Sequence, residues 1–310
     1  MNVRPFLFLH LCLCTAILAA LPGHGGIRAG AAEREITPAA GLEIQHYFRT
    51  SIGVRDPLFA RCLYLEDGAG TAVAIMGLDL IMGSFEACDQ LRAEILEKCG
   101  VTHTLLNFSH SHASAALGPR GKTRISNDPD SQWNDRTLDA IIAVVAGARK
   151  RAEPVSLRAG RAEVQVGFNR RLINAGNGHV YMGVNRKGPA VPWVNVLVAD
   201  SSRTGKPLAV LFEHAAHPVI VPHTSKLTSA DFPGAAGKRI REVLGKDVIT
   251  VFAVNRRAYR CCSRGDNRSA KRLLCGTRTT QGHGLDCIIA DDPAIGGDYR
   301  EIEGRVVVCA

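Results

Sequence analysis

A chain of 310 residues is long enough to bury one large core or two small ones. Its net charge of +9 is not that of a nucleic-acid binder, because eight Lys or Arg and a single Asp fall between Arg256 and Thr280. That segment alone carries +7 and leaves +2 for everything else, a local excess and not a basic face spread over a fold. The ten cysteines are skewed in the same way, with Cys261, Cys262, Cys275, Cys287 and Cys309 after Asn255, and they form no CxxC zinc motif.

The first 32 residues read as an export signal: Arg4, an apolar run from Pro5 to Leu21, then small residues with a cleavage region near Ala29 to Ala32. A membrane anchor is the competing reading, but the run is short, ends in Pro22-Gly23 and has no second apolar span after it. The protein is therefore expected to be secreted or periplasmic.

Strands are expected at Phe59 to Leu65, Ala72 to Leu78 and Thr104 to Phe108. Others are expected around Glu163 through Val166, and at Trp193 to Val198, Pro207 to Phe212 and Val248 to Val254. Several are continuously apolar, as buried strands are. Between them lie three helices. One begins at Ser84, places Phe85, Cys88, Leu91, Ile95 and Cys99 on one face and stops at Gly100. Cys88 and Cys99 then stand about 16 Å apart along its axis, too far for a disulfide. A second follows Ser131 and carries Leu138, Ile141, Ile142 and Val145. The third starts from Asp231 as N-cap with Pro233 in its first turn, carries Ile240, Val243 and Leu244, and ends at Gly245. This order gives an α/β domain, a mixed β-sheet core with flanking helices. After Asn255 neither the helical nor the strand period persists, and an irregular C-terminal tail is expected. A cysteine-rich appendage, a disordered basic tail and translation in a shifted reading frame compete to explain it.

Three stretches carry chemistry. In "NFSHSHAS" His110 and His112 share one face of an extended segment at a strand end, the edge of an α/β sheet where ligands bind. They are either metal ligands or two partly exposed polar residues. In "LFEHAAHPVIVPHTSKLTSADFPG" a strand runs into Glu213, His214 and His217, of which one or two can converge on a shared point. Capping explains Asp231, and His223 lies in a polar loop and needs no function. In "VGFNRRLINAGNGHVYMGVNRKGP" the pair Arg170 and Arg171 is ordinarily a solvated face, but one of them near the histidines can hold a carboxylate or a developing oxyanion. No dinucleotide or P-loop glycine motif and no GxSxG elbow is present.

These clusters, with "REITPAAGL", "VRDPLFARCLYLEDG", "AIMGLDLI" and "TSADFPGAA" in the same order, resemble the N-terminal domain of the neutral/alkaline, non-lysosomal ceramidase family, from roughly Glu33 to Asn255. The resemblance implies a ceramidase N-terminal-domain-like fold. It also implies an exported, zinc-dependent hydrolase of linear amides that cleaves the N-acyl bond of ceramide or a related lipid-like substrate. Position by position it implies His110 and His217 as ligands of Zn2+, His112 as the catalytic-site histidine and Arg170 as the active-site arginine. In that setting zinc acidifies a water to a pKa near ~7 and polarises the amide carbonyl.

The sequence also departs from the family. Ala-Ser-Ala follows His112 where the family has Ser-Gly-Pro, and the glycine-rich loop with a Gly-Asp-x-(Ser/Asn)-Pro element that the family carries after such a strand is missing beyond Asn255. The Glu and Tyr that complete the family's zinc shell have no counterpart in matching context, and Tyr299 and Glu301 are not assigned that role. The expected organisation is a leader over 1–32, an incomplete catalytic domain over 33–255, and a non-resembling tail over 256–310, for which a shifted frame or rearrangement is favoured over a designed appendage. The competing functional reading is a non-catalytic remnant or binding protein with the same core, making peripheral contact with anionic lipid through its basic tail. Neither reading involves nucleic acid, and neither fixes the oligomeric state.

Overall fold

The computed structural model describes residues 26–44, 49–121, 131–164 and 167–254. Most of the expected leader, the end of the strand expected at Val166 and the whole expected tail lie outside the described residues. Ten strands of five residues or more and three helices organise the rest. They are β1 (Arg28–Glu35), β2 (Phe59–Glu66), β3 (Ala72–Leu78), α1 (Phe85–Cys99), β4 (His103–Phe108) and α2 (Ser131–Lys150), then β5 (Glu153–Glu163), β6 (Asn169–Ile173), β7 (Val180–Asn185), β8 (Trp193–Ser201), β9 (Pro207–His214), α3 (Asp231–Leu244) and β10 (Ile249–Val254). Two-residue strands decorate the loops.

Eight strands form one ladder in the order β10-β9-β8-β5-β1-β2-β3-β4. The ladder narrows at its middle, where β1 and β5 are paired only through Arg28 with Pro154 and Ala29 with Glu153. It bends there into two four-stranded halves whose inner faces meet. Alternation along each strand shows this directly. On β2 and β3, Leu63, Leu65 and Ile75 join Leu211 of β9 and Val251 and Ala253 of β10 in one buried cluster. Ala60, Cys62, Tyr64, Met76 and Leu78 face the other way, onto α1 and α2. Val210, Phe212, Val248 and Phe252 face α3. The result is four layers, helix, sheet, sheet, helix, and it explains why β2, β3, β9 and β10 are apolar on both faces. Gly77 on β3 marks the closest approach of the halves: a Cβ there would lie 3.1 Å from both N and O of Phe252.

Each half ends in a parallel crossover, β3-α1-β4 and β9-α3-β10, while the other neighbouring strands run antiparallel. The carboxyl ends of β4 and β9 are thereby the points at which the next segments turn away from the sheet. α1 is bounded as the sequence predicts: Ser84 Oγ accepts from Ala87 N at 3.1 Å, and Gly100, at φ 64°, donates its N–H to Leu96 O. Its buried face is Ala87, Cys88, Leu91, Ile95 and Cys99, whereas Phe85, expected on that face, is exposed.

Three elements differ from the sequence reading. β1 occupies Arg28–Glu35, so the residues expected as a cleavage region form a sheet strand in which Ala29, Ala31 and Ala32 are buried. Small alanines serve both purposes, and composition does not separate them. β5 ends at Glu163, where the sequence suggests a strand beginning. Its alternate residues, Arg158 among them, are solvated, so it lacks an apolar run. β6 and β7 form a hairpin outside the main ladder that the glycine-rich sequence did not announce. Among the described residues no helix is long and apolar enough to cross a membrane.

Candidate metal centre

The chain leaves β4 at Phe108 and continues its hydrogen bonds against the segment after β3, with Ser109 N donating to Leu78 O at 2.8 Å and His110 N to Leu80 O at 3.0 Å. His110 then adopts φ 64°, a left-handed conformation uncommon for a residue with a Cβ. The turn aims its ring inward: Nδ1 lies 2.8 Å from Ile81 O. A carbonyl only accepts, so Nδ1 carries the hydrogen and the Nε2 lone pair faces the site.

Two residues on, His112 brings its Nε2 to 3.4 Å from His110 Nε2. From the other half of the fold, three residues past β9, His217 places its Nε2 2.8 Å from His112 Nε2. The ring centroids are 4.9, 4.9 and 4.7 Å apart, and one nitrogen from each of the three half-buried residues lies within 4.8 Å of the others. Backbone contact fixes the two loops together, His112 N donating to Pro218 O at 3.2 Å. Burial, then the neighbouring His110, Arg170 and His112, pushes the His217 pKa down to about 3. A cluster in which His217 is held neutral and the imidazole nitrogens converge suits a cation of borderline softness. The donor set therefore fits a metal.

Residues around the histidines lock this arrangement. Ser111 Oγ donates to Ser229 O at 2.7 Å, Ser229 N to Ala113 O at 2.8 Å, and Ser229 Oγ to Asp56 Oδ2 at 2.6 Å. Arg49 donates to four backbone carbonyls: His112 O at 2.7 Å, His223 O at 2.9 Å, Pro222 O at 3.1 Å, and Ser225 O. Burial lowers its pKa. Asp231 is the first residue of α3 and not its N-cap, with φ 58° and Ala230 in the cap position. Its carboxylate accepts from Val221 N at 2.8 Å, Ile220 N at 3.3 Å and Phe232 N at 2.6 Å, and so holds the loop that follows His217. Arg49, Asp56 and Ser229 were not legible as site residues, because each acts through a contact more than 60 positions away in sequence.

All four residues singled out by the sequence, His110, His112, Arg170 and His217, meet at this place. Arg170, at the bulged start of the β6–β7 hairpin, has Nη2 3.6 Å from Met182 Sδ and lines a cleft of about 630 Å³ with His112, Met182 and His217. The cleft adjoins a larger cavity of about 930 Å³, reached past Arg170 and His217 and walled by Phe59, Phe168, Val191 and Phe232. His214 does not join the cluster. It is buried on the α3 face of the sheet with Nδ1 3.0 Å from Trp193 O, and burial lowers its pKa. His223 is exposed at the rim.

No family model matches the chain, and no curated protein matches it in sequence. Among solved structures it is similar to the neutral ceramidase from Pseudomonas aeruginosa, with 20% identity over 74% of this chain and a TM-score of 0.60. It is also similar to a ceramidase complexed with C2, with 19% identity over 74% of this chain and a TM-score of 0.58. The fold is ceramidase-like. The chain spans 38% and 37% of the lengths of those two proteins.

Proposed function

We propose that this protein is an exported, zinc-dependent amide hydrolase of ceramidase type, acting on ceramide or a related N-acylated lipid. One observation carries the reading: His110, His112 and His217, from the two halves of a ceramidase-like fold, converge within 4.8 Å beside Arg170 and an apolar cavity. That a similar protein was solved with C2 supports a lipid-like substrate. In this reading His110 and His217 hold the zinc through Nε2, and the Nδ1–H contact of His110 to Ile81 O fixes its tautomer. When bound, zinc supplies Lewis acidity for amide hydrolysis. His112 takes a proton from the attacking water as general base and returns it to the leaving amine as general acid. Arg170 holds the carbonyl oxygen as charge develops on it. The walls of the adjoining cavity receive the acyl chain and exclude water.

A second reading is a non-catalytic binding protein on the same core, which would hold a metal at the three histidines without turnover. Metal analysis of the purified protein, paired with hydrolysis of a fluorogenic N-acyl substrate, separates the two. One zinc per chain and turnover, both lost in His110→Ala and His217→Ala, is the expected result. Full zinc retention in both variants rejects the ligand assignment, and bound zinc without turnover leaves the binding-protein reading.

A further inference from the structure

We infer that the β6–β7 hairpin is an interfacial docking element that seats the cleft on an anionic lipid surface. The hairpin pairs Arg171 with Met182, Leu172 with Tyr181 and Ile173 with Val180, and stands outside the eight-stranded ladder. Ile173, Val180, Met182 and Val184 are 64, 47, 75 and 59% exposed. Alternation places Val180, Met182 and Val184 on one face of β7, with Ile173 beside them across the pair. A two-stranded ribbon with an uncovered apolar strip is marginal in water, and a strip of this kind marks a surface that meets something.

Charge decides what it meets. From Gly167 to Trp193 the chain carries Arg170, Arg171, Arg186 and Lys187 and no Asp or Glu. The Arg186 guanidinium lies over the exposed Phe168 ring, 4.6 Å from its centroid, and Tyr181 and Trp193 are exposed nearby in sequence. Aliphatic strip, interfacial aromatics and one-signed cations form the combination that partitions into the headgroup region of an anionic bilayer. A second copy of the same hairpin would set these cations against four more. Met182 and Arg170 line the cleft that also holds His112 and His217. A hairpin lying on the membrane therefore opens that cleft toward the lipid. The inference does not depend on hydrolysis, since vesicle binding is read without turnover.

The test is co-sedimentation of the full chain with phosphatidylcholine vesicles with and without phosphatidylserine. Binding to the anionic vesicles is expected to be about ten-fold tighter than to neutral ones and to fall as salt is raised from about 0.1 to 0.5 M. Ile173→Asp/Val180→Asp should weaken it by about ten-fold or more. The basic stretch from Arg256 to Thr280 is present in both chains, so the difference reads the hairpin alone. Should the double variant misfold by circular dichroism, Lys187→Glu, at an exposed position, replaces it, with a loss of about two- to five-fold expected. Equal binding by wild type and variants, no binding to either vesicle, or a wild-type dimer that the double variant converts to monomer overturns the proposal.

Discussion

His217 Nε2 lies 2.8 Å from His112 Nε2, although 105 residues separate them and they extend from different halves of the folded sheet. Each half delivers its histidine from the carboxyl end of a strand belonging to a parallel crossover. The candidate centre is therefore a clasp across the open edge of the two-sheet stack. Anything that moves one sheet relative to the other moves the ligands.

Acid should weaken the metal-free protein through this clasp. Burial and its cationic and imidazole neighbours hold His217 at a pKa of about 3, against 6.5 for an ordinary histidine. The unfolded chain therefore binds the extra proton first. The contribution of neutral His217 is fully present above about pH 6.5 and is lost as pH falls toward 3, by up to about 4 kcal/mol. Urea denaturation of the metal-free protein at pH 7 and pH 4 measures this. His217→Phe should flatten the dependence, and an unchanged slope in that variant would contradict the assignment.

Arg49 ties the His112 loop to the segment 222–225 by donating to four backbone carbonyls. Arg49→Met leaves those acceptors without their charged donor, at a cost of about 2 kcal/mol. It should also lower metal affinity about ten-fold by loosening Pro218, which accepts from His112 N and adjoins His217. Arg49→Lys keeps the charge but not the fork, and should recover stability more than affinity. Competition with a chelator reads the affinity, and thermal unfolding reads the stability.

Gly77→Val tests the stack. The new side chain would meet the Phe252 backbone and Val251, and backbone cannot rotate away, so the halves must separate or the strand shift. Overpacking of this kind costs about 1–3 kcal/mol. Loss of metal affinity along with stability is expected, whereas Ala at the same place should be milder on both counts. A stable valine variant with wild-type melting would mean that the halves are not in contact there.

Export processing, if it occurs, should spare β1. Residues Arg28 to Ala32 pair with Cys62 to Glu66, and Ala29, Ala31 and Ala32 are buried. We propose that the mature chain begins at or before Arg28. N-terminal sequencing of the exported protein gives the answer, and a recombinant chain starting at Glu33 is expected to be insoluble. A soluble, cooperative protein starting there would refute this.

Much of the molecule was already written in local pattern. Ser84 and Gly100 bound α1 because caps act over three or four residues, and β2, β3, β9 and β10 were visible because burial on both faces makes them apolar throughout, whereas the half-solvated β5 and the β6–β7 hairpin were not. The same double burial hid their arrangement, since a run such as Ala72 to Leu78 does not say which residues meet a helix and which meet a second sheet. His110 and His112 were conspicuous by spacing, and their likeness to a known motif pointed onward to His217 and Arg170.

What the tertiary structure alone decided was convergence. Three nitrogens come together only because the ladder bends at its two-pair junction between β1 and β5 and lays one crossover against the other. The supports follow the same rule. Arg49, Asp56 and Asp231 act on backbone groups of distant loops, and a backbone carbonyl or amide has no signature in sequence. Side-chain pattern determined the strands, the helices and the chemistry available. Packing between segments far apart in the chain determined where that chemistry is assembled.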